Sequence, residues 1–220
     1  MEEQIYSLRK YFTQATLLGE EAHKVMSPPI RKILPQAPPD AKLSSVMLPL
    51  SLQNEEWCIT FILRSNLNNK DHHSGQLSFP GGQKDDSDID FEACALREVH
   101  EEIGVESEKI QMIGPLSPLY IPVSGFLVYP FVGVLAEGTE MLSQPSEVED
   151  IITVPFNHFL QPNIINFTKI HHKAGYTMQD VPYFPIGDKI LWGATSMILY
   201  EFLMMTGKWF KEYPGNILQH

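Results

Sequence analysis

The sequence predicts an α/β protein in which helices cover both faces of a mixed β-sheet, giving an α/β/α sandwich. Segments of strand character alternate with segments of helical spacing along the chain, which favours layers of helices packed on a sheet. The long helical segment at 190–205 is apolar on most sides, as is typical of a helix packed against a sheet. A length of 220 residues suits one domain with appendages. We expect an N-terminal helix and proline-rich arm at 1–42, the main domain at 43–207 and a C-terminal tail at 208–220.

The individual elements are predicted from the period of the apolar residues and from the turn residues between them. Apolar residues at helical spacing predict a first helix at 3–13, and the prolines between 26 and 40 indicate an extended connector. Asp90 is a suitable N-cap for a helix at 90–103, and a short helix is expected at 155–160. Runs bounded by turn residues predict strands at 43–52, 57–63, 76–79, 110–113, 116–121, 126–135, 151–154, 165–171 and 176–184.

The charge and cysteine content restrict the partners and the compartment. A net charge of −11 at pH 7 argues against binding to duplex nucleic acid and against adsorption to an anionic membrane. A small molecule that carries phosphate remains compatible with this charge if basic groups or a metal ion act locally. We interpret Cys58 and Cys94 as buried, reduced thiols, which favours a cytoplasmic location. Neither a signal peptide nor a membrane span is expected, and a homodimer is left open.

Three glutamates on the predicted helix at 90–103 indicate a metal site. Glu98, Glu101 and Glu102 fall within an arc of about 100° at the helical period. Carboxylates placed so closely repel one another, and a hard divalent cation such as Mg²⁺ or Mn²⁺ would hold them together. The alternative is a solvated acidic face, because like-charged pairs on a helix surface cost little.

The stretch from Phe79 to Val105 resembles the Nudix box, Gly-x5-Glu-x7-Arg-Glu-U-x-Glu-Glu-x-Gly-U, in which U is a bulky aliphatic residue. Residues 97–105 match the second half of the box throughout. The first half differs, since Asp88 stands where the box has Glu and eight residues, not seven, separate it from Arg97. The resemblance implies a Nudix fold with its catalytic loop–helix–loop and hydrolysis of a diphosphate bond at a divalent metal ion.

The same resemblance implies roles for individual residues. Glu98, Glu101 and Glu102 are expected to bind one or more Mg²⁺ or Mn²⁺ ions and to take part in catalysis. Arg97 is expected to orient a neighbouring glutamate, with a structural salt bridge as the alternative. Glu147, in the acidic loop at 142–150, is our candidate for the general base, although a glutamate of the box or Glu149 could serve instead.

Residues upstream of the box resemble the signature of the coenzyme A pyrophosphatase branch of the Nudix superfamily. The matching residues are Arg64-Ser65, Gly75-Gln76, Phe79-Pro80-Gly81-Gly82 and Asp85. This branch implies coenzyme A, or an acyl or oxidised derivative, as the substrate and 3′,5′-ADP and (acyl-)phosphopantetheine as the products. The candidate substrate-binding residues are Arg64, His73, Gly75, Gln76, Gly81 and Gly82.

Differences from the branch signature keep other functions open. Two additional residues lie between Ser65 and Gly75, and the second Arg of the signature is absent from the segment at 66–74. This motivates a second hypothesis, a Nudix hydrolase of ADP-ribose or of another nucleoside diphosphate derivative. A third hypothesis is a catalytically inactive binding module on the same fold. The three crowded glutamates speak against that third hypothesis.

Overall fold

A computed structural model describes residues 2–29, 36–65, 75–171 and 175–213 of the protein. The helices are α1 (Glu2–Gln14), α2 (Glu20–Val25), α3 (Phe91–Ile103) and α4 (Gly193–Glu212). The strands are β1 (Lys42–Gln53), β2 (Glu56–Arg64), β3 (Leu77–Ser78), β4 (Gly81–Gln83), β5 (Ile110–Pro115), β6 (Leu119–Ile121), β7 (Phe126–Leu135), β8 (Val148–Pro155), β9 (Asn166–His171), β10 (Thr177–Ile186) and β11 (Lys189–Trp192). Short 3₁₀ helices lie at Ser107–Lys109 and Phe156–Leu160.

The main sheet is mixed, as the sequence predicts. Its strand order is β3-β2-β1-β7-β5, with β4 paired to β1, β6 to β7 and β8 to β2. β1 runs parallel to β7 and antiparallel to β2 and β4. The β1–β2 hairpin turns at Asn54 and Glu55, whose positive φ angles of 49° and 65° are those of a two-residue hairpin turn that matches the strand twist. A separate antiparallel sheet has the order β11-β10-β9.

Apolar cores lie on both faces of the main sheet. Alternation along β1 sends Leu48 into a large core that also contains buried residues of α1 and α4, whereas Met47 joins Val99 and Ile103 of α3 in a second core. Aromatic rings pack against one another in the large core, where Phe156 stacks on Phe210 with ring centroids 3.8 Å apart. The protein is therefore an α/β sandwich with α3 on one face of the sheet and α1 and α4 on the other.

Several elements differ from the sequence-based expectation. The helix predicted at 190–205 begins later, at Gly193, because residues 190–192 belong to β11 and pair with β10. Pairing with a distant strand outweighs the helical apolar pattern there, and Gly193, with φ 69°, changes the chain direction. α2 lies in a segment for which the sequence analysis predicted no helix.

Other outcomes concern the ends of the chain and the membrane. α4 continues past residue 207, where the main domain was expected to end, and the division at 42/43 and 207/208 stays a prediction. The segment at 66–74 lies outside the described residues. Among the described helices, none has the length and apolar character needed to cross a membrane.

Candidate active site

The glutamate-bearing helix α3 is fixed at both ends by its own sequence. Asp90 caps the N-terminus, where its carboxylate accepts a hydrogen bond from the Ala93 N–H at 2.8 Å. Gly104 ends the helix in the left-handed conformation, and its N–H donates to the His100 carbonyl at 2.9 Å. The apolar side of α3 packs against the sheet, which leaves Glu98 and Glu102 facing β4 at the edge of the core.

Arg97 connects the loop before α3 to the glutamates on the helix. Its Nη1 donates to Glu98 Oε1 at 2.8 Å and to Glu101 Oε2 at 2.9 Å. On the other side, its Nε and Nη2 donate to the two Asp88 carboxylate oxygens at 3.0 and 2.9 Å. Such a two-point pair holds the guanidinium plane in one orientation. These contacts are compatible with both roles predicted for Arg97, the orientation of a neighbouring glutamate and a structural salt bridge.

Asp88 shows how the altered first half of the Nudix box is accommodated. Aspartate is one methylene shorter than the glutamate of the box, and its carboxylate lies within hydrogen-bonding distance of Arg97. The Asp85 N–H also donates to Asp88 Oδ2 at 2.8 Å. The hydrogen bonds from Arg97 lower the pKa of Asp88 to about 2, against the effect of burial. Asp88 is thus an anchor of the loop, a role that the sequence analysis did not assign.

Glu98 and Glu102 are buried carboxylates with raised pKa values. Glu102 is 1% exposed, accepts a hydrogen bond from the Gly81 N–H at 2.8 Å and forms an ion pair with Arg64 at 3.3 Å. Burial raises the pKa of Glu102 to about 8, although Arg64 and the Gly81 N–H act in the opposite direction. Burial likewise raises the pKa of Glu98. Glu101, by contrast, is solvent-exposed.

The glycines of β4 allow the glutamates to approach the backbone closely. A Cβ on Gly82 would lie 2.5 Å from both carboxylate oxygens of Glu98. A Cβ on Gly81 would collide with the backbone of β1, which pairs with β4 at this point. Gly81 therefore needs to be glycine, whereas a side chain at Gly82 would displace the Glu98 carboxylate.

The remaining candidate residues lie around this centre. Glu147 is exposed, and its charge contributes to the raised pKa values of Glu98 and Glu102, which places it on the same side of the protein as these acids. Arg64 and Gln76 line a cavity beside the glutamates. Gly75 donates its N–H to the Arg64 carbonyl at 2.9 Å and so holds the chain next to the end of β2. His73 lies outside the described residues.

The carboxylates are chemically suited to a divalent cation, although they are engaged with other groups. Within the described ranges, no three His, Cys, Asp or Glu side chains converge closely enough to hold a metal ion. Arg97 binds Glu98 and Glu101, whereas Gly81 and Arg64 bind Glu102. Oxygen ligands are those that Mg²⁺ and Mn²⁺ prefer, and a bound cation would stabilise the charged carboxylates that burial disfavours. The residues present thus fit such an ion.

A cavity of about 420 Å³ opens beside Gly81, Gly82 and Arg64. Its size is within the usual range for a small-molecule site. Sequence analysis did not identify its walls beyond the signature residues, because they come from strands and helices that are distant in the sequence. The additional lining residues include Pro28, Ile121, Phe126, Met178, Trp192 and Ala194.

Comparisons with known proteins identify the family of the chain. The family model of the NUDIX domain matches residues 43–174. The uncharacterized Nudix hydrolase NudL of Photorhabdus laumondii subsp. laumondii is 31% identical over 170 residues, which cover 74% of this chain and 88% of that protein. The peroxisomal coenzyme A diphosphatase NUDT7 of Mus musculus is 32% identical over 120 residues, which cover 54% of this chain and 50% of the mouse protein.

A solved structure also has the same fold. The crystal structure of a MutT/nudix family protein from Enterococcus faecalis aligns with a TM-score of 0.52 at 17% identity and covers 94% of this chain and 74% of that one. Because the NUDIX match spans more than half of the chain and contains the whole of α3, the chain belongs to the Nudix hydrolase family, as its sequence predicts.

Proposed function

We propose that the protein hydrolyses the diphosphate bond of coenzyme A, or of an acyl or oxidised derivative, to 3′,5′-ADP and (acyl-)phosphopantetheine. Membership of the family makes it an enzyme that acts on a diphosphate bond, and Nudix hydrolases generally depend on a divalent metal ion. The observation that carries the choice of substrate is the segment Phe79–Gly82 with Arg64 and Gln76, which matches the coenzyme A branch signature and borders the cavity. The name of the mouse relative supports the same substrate.

We assign the metal-binding role to Glu98, Glu101 and Glu102 and expect Mg²⁺ or Mn²⁺. When bound, such an ion neutralises the diphosphate and polarises phosphorus for attack by water. Arg97 keeps two of the glutamates in place through its contacts at 2.8 and 2.9 Å, and it acts as a positioning residue. The Gly81 N–H holds the third glutamate from the opposite side.

We assign substrate contacts to the groups at the border between the glutamates and the cavity. Arg64 lies there beside Glu102, where its guanidinium can donate to a phosphate oxygen of the substrate. The backbone of Gly81 and Gly82 approaches closely because neither residue has a Cβ. Gln76 lines the same region. Glu147 is exposed near the buried acids and is our candidate for the base that accepts the proton of the attacking water.

Product identification tests the proposal. The purified full-length protein is incubated with coenzyme A and with ADP-ribose in separate reactions containing Mg²⁺ or Mn²⁺, and the products are identified by liquid chromatography and mass spectrometry. We expect 3′,5′-ADP and phosphopantetheine from coenzyme A at a higher kcat/KM than that for ADP-ribose. A higher kcat/KM for ADP-ribose would reject coenzyme A in favour of our second hypothesis.

A pair of variants on one helix tests the metal-binding assignment. Glu102→Gln keeps the shape of the side chain but removes a charged ligand, so we expect kcat to fall by at least about 100-fold. Glu92→Gln, at an exposed position in the first turn of α3, is the matched control and should retain activity. Equal rates for the two variants would disprove the assignment. If the wild-type protein hydrolyses none of the diphosphates tested, this would favour the hypothesis of an inactive binding module.

The remaining expectations stay predictions. A small nucleotide-type molecule is the expected partner, and neither nucleic acid nor a membrane is expected as a partner because of the net charge of −11. The cytoplasmic location follows from the cysteine content, and both cysteines are free and buried. A homodimer remains to be tested by measuring the mass in solution.

A further inference from the structure

Most of the wall of the cavity beside the glutamates is apolar. Its walls include Val46, Ile121, Phe126 and Val128 of the main sheet. Among the described residues that line it, Arg64 is the single charged side chain, and it lies at the end next to Glu102. The cavity is therefore suited to a ligand with an anionic end and an uncharged, apolar remainder.

Part of the cavity wall comes from segments outside the matched NUDIX domain at 43–174. Met178 of β10 contributes one part of it, and Ala194 lines it near the start of α4. Pro28, which follows α2, contributes from the N-terminal side. Residues that precede and follow the family domain thus contribute to the wall of the cavity.

The N-terminal part of this wall is held by a buried carboxylate of α4. Glu201 is 0% exposed and accepts hydrogen bonds from the N–H groups of Leu18 and Gly19, at 3.0 and 2.8 Å. It also contacts the His23 ring at 3.2 Å and accepts from the Ser117 hydroxyl at 2.6 Å. These contacts dock the segment containing α2 onto α4 and thereby fix the position from which Pro28 reaches the cavity.

We propose that this cavity binds the uncharged arm of the substrate together with an apolar acyl group, and that Pro28, Met178 and Ala194 determine the acyl length. The inference rests on the proposed function, because it takes the diphosphate to lie at the glutamates. The nucleoside arm of coenzyme A carries an additional phosphate and suits this cavity poorly, since Arg64 is the single cation among the described lining residues and is already assigned to the diphosphate. An acyl chain needs no hydrogen-bond partners and gains affinity with the apolar area that it buries.

Binding without turnover tests the inference separately from the reaction. Dissociation constants of acetyl-, butanoyl- and hexanoyl-coenzyme A are measured by isothermal titration calorimetry in EDTA with the full-length protein. We expect binding to tighten by about fourfold for each methylene that enters the cavity. Dissociation constants that do not change with chain length, or no binding at millimolar concentration, would overturn the inference.

A filled cavity provides the second arm of the test. Ala194→Phe should reduce the preference for hexanoyl over acetyl by at least about tenfold, because the ring occupies the space of several methylenes. Met204→Phe is the matched control, since Met204 lies on the same helix with 57% of its surface exposed. Met178→Trp fills the cavity from β10. This variant replaces Ala194→Phe if circular dichroism shows that Ala194→Phe does not fold. The inference would be contradicted if the folded cavity variant preferred hexanoyl over acetyl as strongly as the Met204→Phe control does.

Measuring hydrolysis distinguishes a failure of the proposed reaction from a failure of the proposed acyl site. Hydrolysis of coenzyme A with Mg²⁺ supports the proposed function even where binding shows no dependence on acyl length. Binding that depends on acyl length, with no hydrolysis of any coenzyme A compound, supports the cavity as an acyl site and rejects the proposed reaction.

Discussion

Replacing Gly82 by alanine is expected to damage catalysis far more than stability. The new Cβ would lie 2.5 Å from the Glu98 carboxylate oxygens, whereas an ordinary van der Waals contact begins at 3.4 Å. The carboxylate must therefore move by about 0.9 Å. A displacement of about 1 Å in a catalytic group can reduce the rate by about 100-fold, or about 2.7 kcal/mol in activation free energy. The cost to folding is small, because the displaced atoms end a side chain and the pairing of β4 with β1 uses backbone groups.

A second glycine offers a matched control for this experiment. Gly207 lies inside α4, and a Cβ there would have Leu160 Cδ2 as its nearest neighbour at 3.8 Å. Gly207→Ala should keep full activity and stabilise the protein by up to about 1 kcal/mol through helix propensity. The assays are kcat and KM with Mg²⁺ and the diphosphate substrate, together with urea unfolding of both variants. A Gly82→Ala enzyme with a kcat within about twofold of wild type would refute the view that Glu98 must occupy its observed position.

Three further outcomes are expected. Burial raises the pKa of Glu201, but hydrogen bonds from His23, Ser117 and Gly19 outweigh it and bring the value from 4.5 to about 2. Because the folded-state pKa is depressed, this carboxylate stabilises the fold fully above pH 4.5, and roughly 2–3 kcal/mol is lost as the pH falls from 4.5 to 2. The difference in unfolding free energy between wild type and Glu201→Gln, measured over this pH range, should shrink accordingly, and a constant difference would contradict it. Asp88→Asn should lower kcat on the order of tenfold with little change in KM, because Arg97 loses the carboxylate that holds it at two points. Steady-state kinetics measure both constants, and an unchanged kcat would show that this contact is unimportant for catalysis. Removal of divalent ions with EDTA should abolish turnover and leave the circular dichroism spectrum unchanged, and added Mg²⁺ or Mn²⁺ should restore activity. Turnover that persists in EDTA would exclude a metal-dependent reaction.

Local signals in the sequence predicted most of the secondary structure. The β1–β2 hairpin, the strand β7 and the helix α3 with its Asp90 cap all lie where periodicity and turn residues placed them. β11 was missed because a short apolar strand that precedes an apolar helix has no separate periodic signal. Only its pairing with β10, which no local pattern reports, distinguishes the two.

The candidate site was likewise predicted from the sequence only in part. Helical spacing alone placed Glu98 and Glu102 on one side of α3, because residues four apart on a helix are neighbours. The partnership of Asp88 with Arg97 was hidden, since the segment between them departs from the expected spacing. The structure shows that the two side chains meet despite this departure.

By itself, the sequence determined the family, the helix that carries the glutamates and the chemistry that three neighbouring carboxylates favour, because these depend on residues that are close along the chain. Only the tertiary structure decided how deeply Glu98 and Glu102 are buried and that Pro28, Met178 and Ala194 meet in one cavity. Burial and cavity shape arise when distant segments pack together, and so they have no signature in any single stretch of sequence.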